Sequence, residues 1–267
     1  MADDTGTPGA QLDAPWPLVG REDAVEKALN GLRSSARSVF VHGHSGAGKS
    51  RFAHECAARL EDEGWLVHRA SGNPALTAIP LGTLSPVLVA ADPETLRSAG
   101  DAVSLFAAVS QALVEQAAGR RLLLVLDDVA AADSVSLTLV AQLVEAGVVR
   151  LICASPEGAP LPESVIPLAA SPDACRIDLA PLDLDQASEL FMRVLGSPLA
   201  HRHVVELHQA STGNPLFLRE LALGAAAAGR LRCVDGIWQL TGEPVGTPAL
   251  HDLIRARLSG LTEAERD

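Results

Sequence analysis

Tyrosine is absent from the 267 residues, and aromatics together make up only 3% of them. Since 48% of residues are hydrophobic, a core is still expected, but Leu, Val and Ala must fill it. Lysine is nearly absent as well: Lys27 and Lys49 are the two in the chain, and arginine supplies the other cations. Positive charge as a whole is in deficit, with a net charge of −12 and a pI near 5.1. Without a Lys/Arg stripe, such a surface repels nucleic acid over most of its area, so any anion site must be local. Cys56, Cys153, Cys175 and Cys233 are widely spaced with no C-x-x-C pair. That spacing fits buried free thiols in a reducing cytoplasm rather than a disulfide framework or a zinc site. No signal peptide is evident, and no apolar run reaches the roughly 18 residues of a membrane span. A cytoplasmic chain of one large or two modest domains is expected.

What the chain does have is concentrated at Val39-Phe40-Val41-His42-Gly43-His44-Ser45-Gly46-Ala47-Gly48-Lys49-Ser50. A β-branched and aromatic run feeds G-x-x-x-x-G-K-S, the Walker A pattern. Chance should produce it on the order of once in a thousand chains of this composition. The glycines let backbone N–H groups turn inward around a phosphate. Lys49 would reach the β- and γ-phosphates, and the Ser50 hydroxyl would hold Mg²⁺. A helix from about Lys49 to Leu60, with Arg51 in its first turn, would point its positive end at the same anion. That a chain so poor in lysine places one here is in keeping with a need for a compact point charge.

The second motif is Leu122-Leu123-Leu124-Val125-Leu126-Asp127-Asp128. Its apolar run is too continuous for a half-exposed strand and suits a parallel strand buried on both faces. The two carboxylates at its end match Walker B: Asp127 would orient Mg²⁺ and Asp128 would polarise the attacking water. Further strands are expected at Trp65–Ala70, Val148–Ser155 and Arg176–Leu182. Helices are expected at Asp23–Leu32, with Ala24, Leu29 and Leu32 available to bury, and at Ala102–Ala117. Another should run to Glu145 under an Asp133 cap, with Val135, Leu139, Gln142 and Leu143 setting its face. Alternating strands and helices imply an α/β chain with a doubly wound parallel sheet and its ligand at the strand C-termini.

After Pro181 the pattern becomes helical, over Asp183–Leu195, His201–Ala210 and Pro215–Ala228. A β-hairpin follows over Leu231–Leu240 around Asp235-Gly236, then a helix from Leu250 to Leu258. His201, His203 and His208 read as a solvated helix face rather than metal ligands. The organisation expected is a polar, disordered tail over 1–15, a P-loop nucleotide-binding domain over 16–182, a helical domain with a hairpin over 183–247, and a last segment over 248–267.

Taken together, Val19-Gly20-Arg21-Glu22, Gly43 to Ser50, Leu123 to Asp128 and Gly213-Asn214-Pro215-Leu216 give a resemblance. The chain from about Pro17 onward resembles the ATP-binding part of the large LuxR-type transcriptional regulators, members of the STAND class of signalling P-loop ATPases. Ile79-Pro80-Leu81-Gly82-Thr83-Leu84 and the Leu216–Leu221 helix are similar too. Walker A and B are generic; V-G-R-E combined with G-N-P-L-F discriminates more sharply. The resemblance implies that Val19, Gly20 and Arg21 line the adenine from one side and Pro215 from the other. Gly43, Ser45, Gly46, Ala47, Gly48, Lys49, Ser50 and Arg51 would hold the phosphates. It also implies an ATP/ADP switch with Mg²⁺, in which ADP holds a closed form and ATP with an inducer permits self-association. By the same resemblance, 248–267 begins a truncated winged-helix segment, and the inducer-sensing and DNA-reading regions lie beyond it, so no DNA binding is expected of this stretch.

One departure stands out. Relatives often carry an arginine after the fourth strand to sense the γ-phosphate, and here Leu151-Ile152-Cys153-Ala154-Ser155 is followed by Pro156, which has neither charge nor N–H donor. Either Arg150 or another arginine substitutes, or hydrolysis is slow. Two rival readings remain: a P-loop small-molecule kinase, which should carry an arginine-rich lid, and an AAA+ initiator-type ATPase that loads on DNA, which should carry a basic face.

Overall fold

The computed structural model describes residues 12, 14–88, 101–156, 160–242 and 246–250. Most of the expected tail over 1–15, and all of the expected last helix and final segment beyond Leu250, lie outside them. The chain divides into two compact units.

The larger unit comprises Arg21–Ser45 and Lys49–Leu179. Its centre is a parallel sheet of β1 (Ser38–Gly43), β2 (Leu66–Ser71), β3 (Leu122–Asp127), β4 (Arg150–Pro156) and β5 (Ala174–Asp178), in the order β2-β3-β4-β1-β5. Strands β1, β3 and β4 lie inside the sheet, which is why their apolar runs are uninterrupted: Val39, Val41, Leu123, Leu126, Leu151 and Ile152 are all fully buried. The helices are α1 (Glu22–Arg33), α2 (Lys49–Asp62), α3 (Ser85–Leu88), α4 (Ala102–Ala117), α5 (Ser134–Glu145) and α6 (Ile166–Ala170).

Helix α1 buries Val25, Ala28, Leu29 and Leu32, the i, i+3, i+4, i+7 spacing of one face. Ala24 is only half-buried, because Val25 and Ala28 take the inward positions. Helix α5 also departs from the expected face. It buries Ser136, Leu137, Leu139, Val140, Leu143 and Val144, while Val135 and Gln142 point outward. Strand β5 begins and ends earlier than its apolar pattern predicts. Leu179 still donates its N–H to His42 O, at 2.8 Å, before Pro181, lacking an N–H, ends any further pairing. As an edge strand, β5 is blunted by Lys27, whose Nζ donates to Arg176 O at 3.0 Å.

The smaller unit comprises the chain up to Gly20, Gly46–Gly48 and the chain from Ala180. It holds α7 (Leu184–Leu195), α8 (His201–Ser211), α9 (Pro215–Ala227) and the antiparallel hairpin β6 (Leu231–Val234) and β7 (Ile237–Leu240). Helix α7 starts with a capping box: the Gln186 N–H donates to Asp183 Oδ1, and the Asp183 N–H donates to Gln186 Oε1. The hairpin turns on Asp235 and Gly236, both at positive φ (52° and 77°), as a two-residue turn of this hand requires. Three of the scarce aromatics sit in this unit's core. Trp16 meets Phe191 edge-on with ring centroids 6.0 Å apart, and Trp238 donates Nε1–H to Leu195 O at 3.2 Å.

Cys56 and Cys153 are buried thiols, each pushed up to about 12 by burial. Cys175 is half-buried and Cys233 exposed on β6, so buried cysteines were the right expectation for two of the four. Among the described residues, no helix is long and apolar enough to cross a membrane.

Candidate nucleotide site

The larger unit brings Lys49, Asp127 and Asp128 together. Strand β1 ends at Gly43 and α2 starts at Lys49. In the loop between them, Gly46 and Gly48 stand at φ 83° and 94°. A Cβ on Gly48 would have open space around it, so the left-handed backbone, rather than crowding, is what calls for glycine there. The first turn of α2 carries no acidic residue, which leaves its positive end uncompensated for an anion. Lys49 folds its Nζ back over the loop, donating to Gly43 O at 2.9 Å and His44 O at 3.1 Å. Ser45, Ser50 and Arg51 are exposed, and Ala47 is buried. Lys49 and Ser50 thus offer a cation and a hydroxyl, donors suited to a Mg²⁺-bound polyphosphate.

On β3, Asp127 is half-buried and Asp128 exposed. The Asp128 N–H donates to Asp127 Oδ1 at 3.0 Å. Asp128 itself adopts the left-handed region (φ 47°, ψ 48°) and caps a 3-10 turn, Val129–Ala131. A non-glycine residue pays for that conformation with some strain. Burial, and then the neighbouring Asp127 charge, raise the Asp128 carboxyl above its ordinary value, while Lys49 pulls it back. The three charged groups therefore share one field.

Strand β4 lies between the two motif strands, and no motif in the sequence marks its end. His42 pairs with Ser155 and Gly43 with Pro156. Ser155 is 1% exposed, a buried polar side chain at the strand end nearest both motifs. Its signal was a lone hydroxyl closing the apolar run of β4. Arg150 cannot stand in for a sensing arginine. It pairs with Leu123 at the opposite end of β4, five residues before Ser155, or about 16 Å along the strand. There burial and the neighbouring charges of Arg37 and Arg121 lower its pKa.

In the smaller unit, Val19 is buried, and Gly20 adopts φ 65° beside the Gln186 side chain. Arg21 belongs to the larger unit, where it is 7% exposed and its carbonyl accepts the Val25 N–H. Asn214 caps α9, its Oδ1 accepting the Leu216 N–H at 3.0 Å, with Pro215 in the first turn. Gly46, which groups with this unit, accepts a longer bond from the same Leu216 N–H at 3.3 Å. The segment is fixed from below, where Leu182 donates its N–H to Gly213 O at 2.8 Å; a Cβ on Gly213 would come within 2.2 Å of Leu182 O. The histidines of α8 are not a uniformly solvated face. His203 is buried, with Nδ1 3.3 Å from Glu206 Oε2, and His208 Nε2 lies 2.8 Å from Leu182 O; His201 alone is exposed.

A five-stranded parallel sheet in this order, with a glycine loop after β1 and paired aspartates after β3, defines a P-loop NTPase fold of the AAA+ kind. More specifically, residues 17–152, more than half of the chain, match the AAA ATPase domain family, and the chain belongs to it. Among solved structures it is similar to Cdc6p from Pyrobaculum aerophilum (14% identity, TM-score 0.62, covering 82% of this chain and 65% of that one). It is also similar to the Aeropyrum pernix ORC1 protein, solved in complex with DNA (15%, 0.60, 95% and 69%), and to ORC2 of the same organism, in ADPNP and ADP complexes (19%, 0.54, 80% and 63%). The chain thus spans about two thirds of these proteins' length, and at such identities the likeness is one of fold. No curated protein matches the sequence.

Proposed function

We propose that this chain is the ATP/ADP-binding switch of a transcriptional regulator, with slow Mg²⁺-dependent hydrolysis. The observation that carries the reading is Gly46. This residue of the phosphate loop accepts the N–H of Leu216 from the G-N-P-L segment, so a change in the loop's occupant bears directly on that segment. Lys49 would neutralise the β- and γ-phosphates, and Ser50 and Asp127 would hold Mg²⁺, which would supply charge neutralisation for phosphoryl transfer. Gly43, Ser45, Gly46, Ala47, Gly48 and Arg51 cradle the phosphates; Val19, Gly20, Arg21 and Pro215 take the base. Asp128 orients the attacking water, and Ser155 stands at the strand end where a γ-phosphate contact is needed. Without an arginine on β4 at that end, charge spreading over the γ-phosphoryl oxygens lacks a partner worth about 10³–10⁵ in rate in related systems. Nucleotide is therefore bound tightly and turned over slowly. Self-association in the ATP state and control by an inducer acting through further regions complete the proposal.

The test is the nucleotide that co-purifies, followed by calorimetry with Mg·ATP and Mg·ADP. Resident ADP and tight binding of both support the switch. Absence of binding overturns it, and rapid ADP production dependent on a small acceptor indicates a kinase.

A second reading, an initiator-type ATPase that loads on DNA, draws on the fold likeness to Cdc6p and DNA-bound ORC1. The net charge of −12 weighs against it.

A further inference from the structure

We infer that Gly72 is a positioning residue for Asp128: its missing side chain makes the space in which the backbone turn carrying that carboxylate is set. The inference rests on the proposed role of Asp128 in hydrolysis.

Gly72 is the first residue beyond β2. Ser71 pairs with Asp127, and the Gly72 N–H donates to Asp127 O at 2.9 Å. This brings Gly72 against the turn that follows Walker B. A Cβ added to it would fall 2.1 Å from Asp128 O, 2.7 Å from Ala132 N and 2.8 Å from Ala131 C. All three are backbone atoms, so no rotamer change relieves the clash, and the turn itself must move. Gly72 is not among the glycines at positive φ, so conformational freedom does not account for it. Pairing with β3 requires only its N–H, which any residue but proline supplies.

The turn on the other side of this contact is tightly held. The Ala131 N–H donates to Asp128 O at 2.9 Å, and Thr77 Oγ1 donates to Ala131 O at 3.1 Å. Asp133, two residues further on, accepts the Leu81 and Thr83 N–H groups. Asp128 is thus kept in its left-handed conformation by close approach from Gly72 and clips from the 77–83 segment. Displacing its carbonyl rotates the peptide and swings the carboxylate. Misplacement of a reacting group by about 1 Å costs on the order of a hundredfold in rate.

Gly72→Ala in the full chain should therefore lower single-turnover hydrolysis of Mg·ATP by at least about tenfold. Affinity for Mg·ATP should stay within about twofold, since Lys49 and its loop are built from β1 and α2. Thr77→Val, at an exposed position, should lower the rate several-fold through the same turn. A simple loss of fold would not reproduce the decisive readout, which is the cycle with Asp128→Asn. If Gly72 acts through Asp128, neither Gly72→Ala nor Thr77→Val slows the Asp128→Asn protein further. Unchanged rates in both variants, or losses that add fully to that of Asp128→Asn, overturn the inference; should Gly72→Ala not fold, Thr77→Val decides alone. If Asp128→Asn itself leaves wild-type hydrolysis unchanged, the catalytic reading of Asp128 fails and takes this inference with it. If wild type does not bind Mg·ATP at all, the nucleotide reading fails, and calorimetry separates that case from the first.

Discussion

Thr83 and Asp133 are bonded to each other in both directions. The Thr83 N–H donates to Asp133 Oδ2 at 2.9 Å, and the Asp133 N–H donates to Thr83 Oγ1 at 3.1 Å. Both residues are 2% exposed. Asp133 Oδ1 also accepts the Leu81 and Ser136 N–H groups, so one carboxylate caps α5 and holds a segment fifty residues upstream.

That carboxylate sets an acid limit on stability. Burial by itself would raise its pKa, but the N–H groups of Thr83 and Ser136 outweigh burial and hold it at about 2, against an ordinary 3.8. Because the folded value is depressed, its stabilisation is complete above the ordinary value and is lost as pH falls from about 4 through 2. The difference corresponds to about 2 kcal/mol. Urea denaturation from pH 7 to pH 2 should show Asp133→Asn less stable at neutral pH and with a flatter acid limb. An acid limb as steep as wild type would remove Asp133 from this account.

Lys49→Ala should weaken Mg·ATP binding by about 30- to 4,000-fold, the usual effect of deleting one member of a charge pair worth roughly 2–5 kcal/mol. Calorimetric titration of both proteins measures it. Equal affinities would contradict the phosphate-loop assignment.

Asp128→Asn should leave affinity within a few-fold and lower turnover by about 10²-fold or more, as loss of a general base does. Wild type should already be slower than the roughly 1–100 s⁻¹ of kinases. Single-turnover hydrolysis of γ-labelled ATP reads the rates, and a kinase-like wild-type rate unaffected by Asp128→Asn would refute it.

The chain as it stands should form no sequence-selective complex with duplex DNA, because its net charge of −12 opposes phosphate contact. A gel shift at low salt against promoter fragments tests this. A selective complex would favour the initiator reading.

Much of the sheet could be read from the sequence because the information was local. The unbroken Leu122–Leu126 run and the Asp235-Gly236 turn each fix their own conformation within a few residues. What escaped was long-range. Nothing near Ser155 says that β4 lies between β1 and β3. Nothing near Gly72 says that Asp128 O will come against it, and nothing in the α8 sequence distinguishes buried His203 from exposed His201. The face of α5 was misread at Val135 and Gln142 because two neighbouring stripes are buried, and only the neighbouring chain decides which.

The bond from Lys27 to Arg176 O has a practical consequence. Both side-chain amines of the protein rest on backbone carbonyls, one at the edge of the sheet and one over the phosphate loop. An amine-selective acylating reagent therefore meets only two lysines in very different roles. Nucleotide should shield Lys49 and leave Lys27 unchanged, so the ratio of the two modified peptides by mass spectrometry is a self-referenced occupancy gauge, independent of reagent dose.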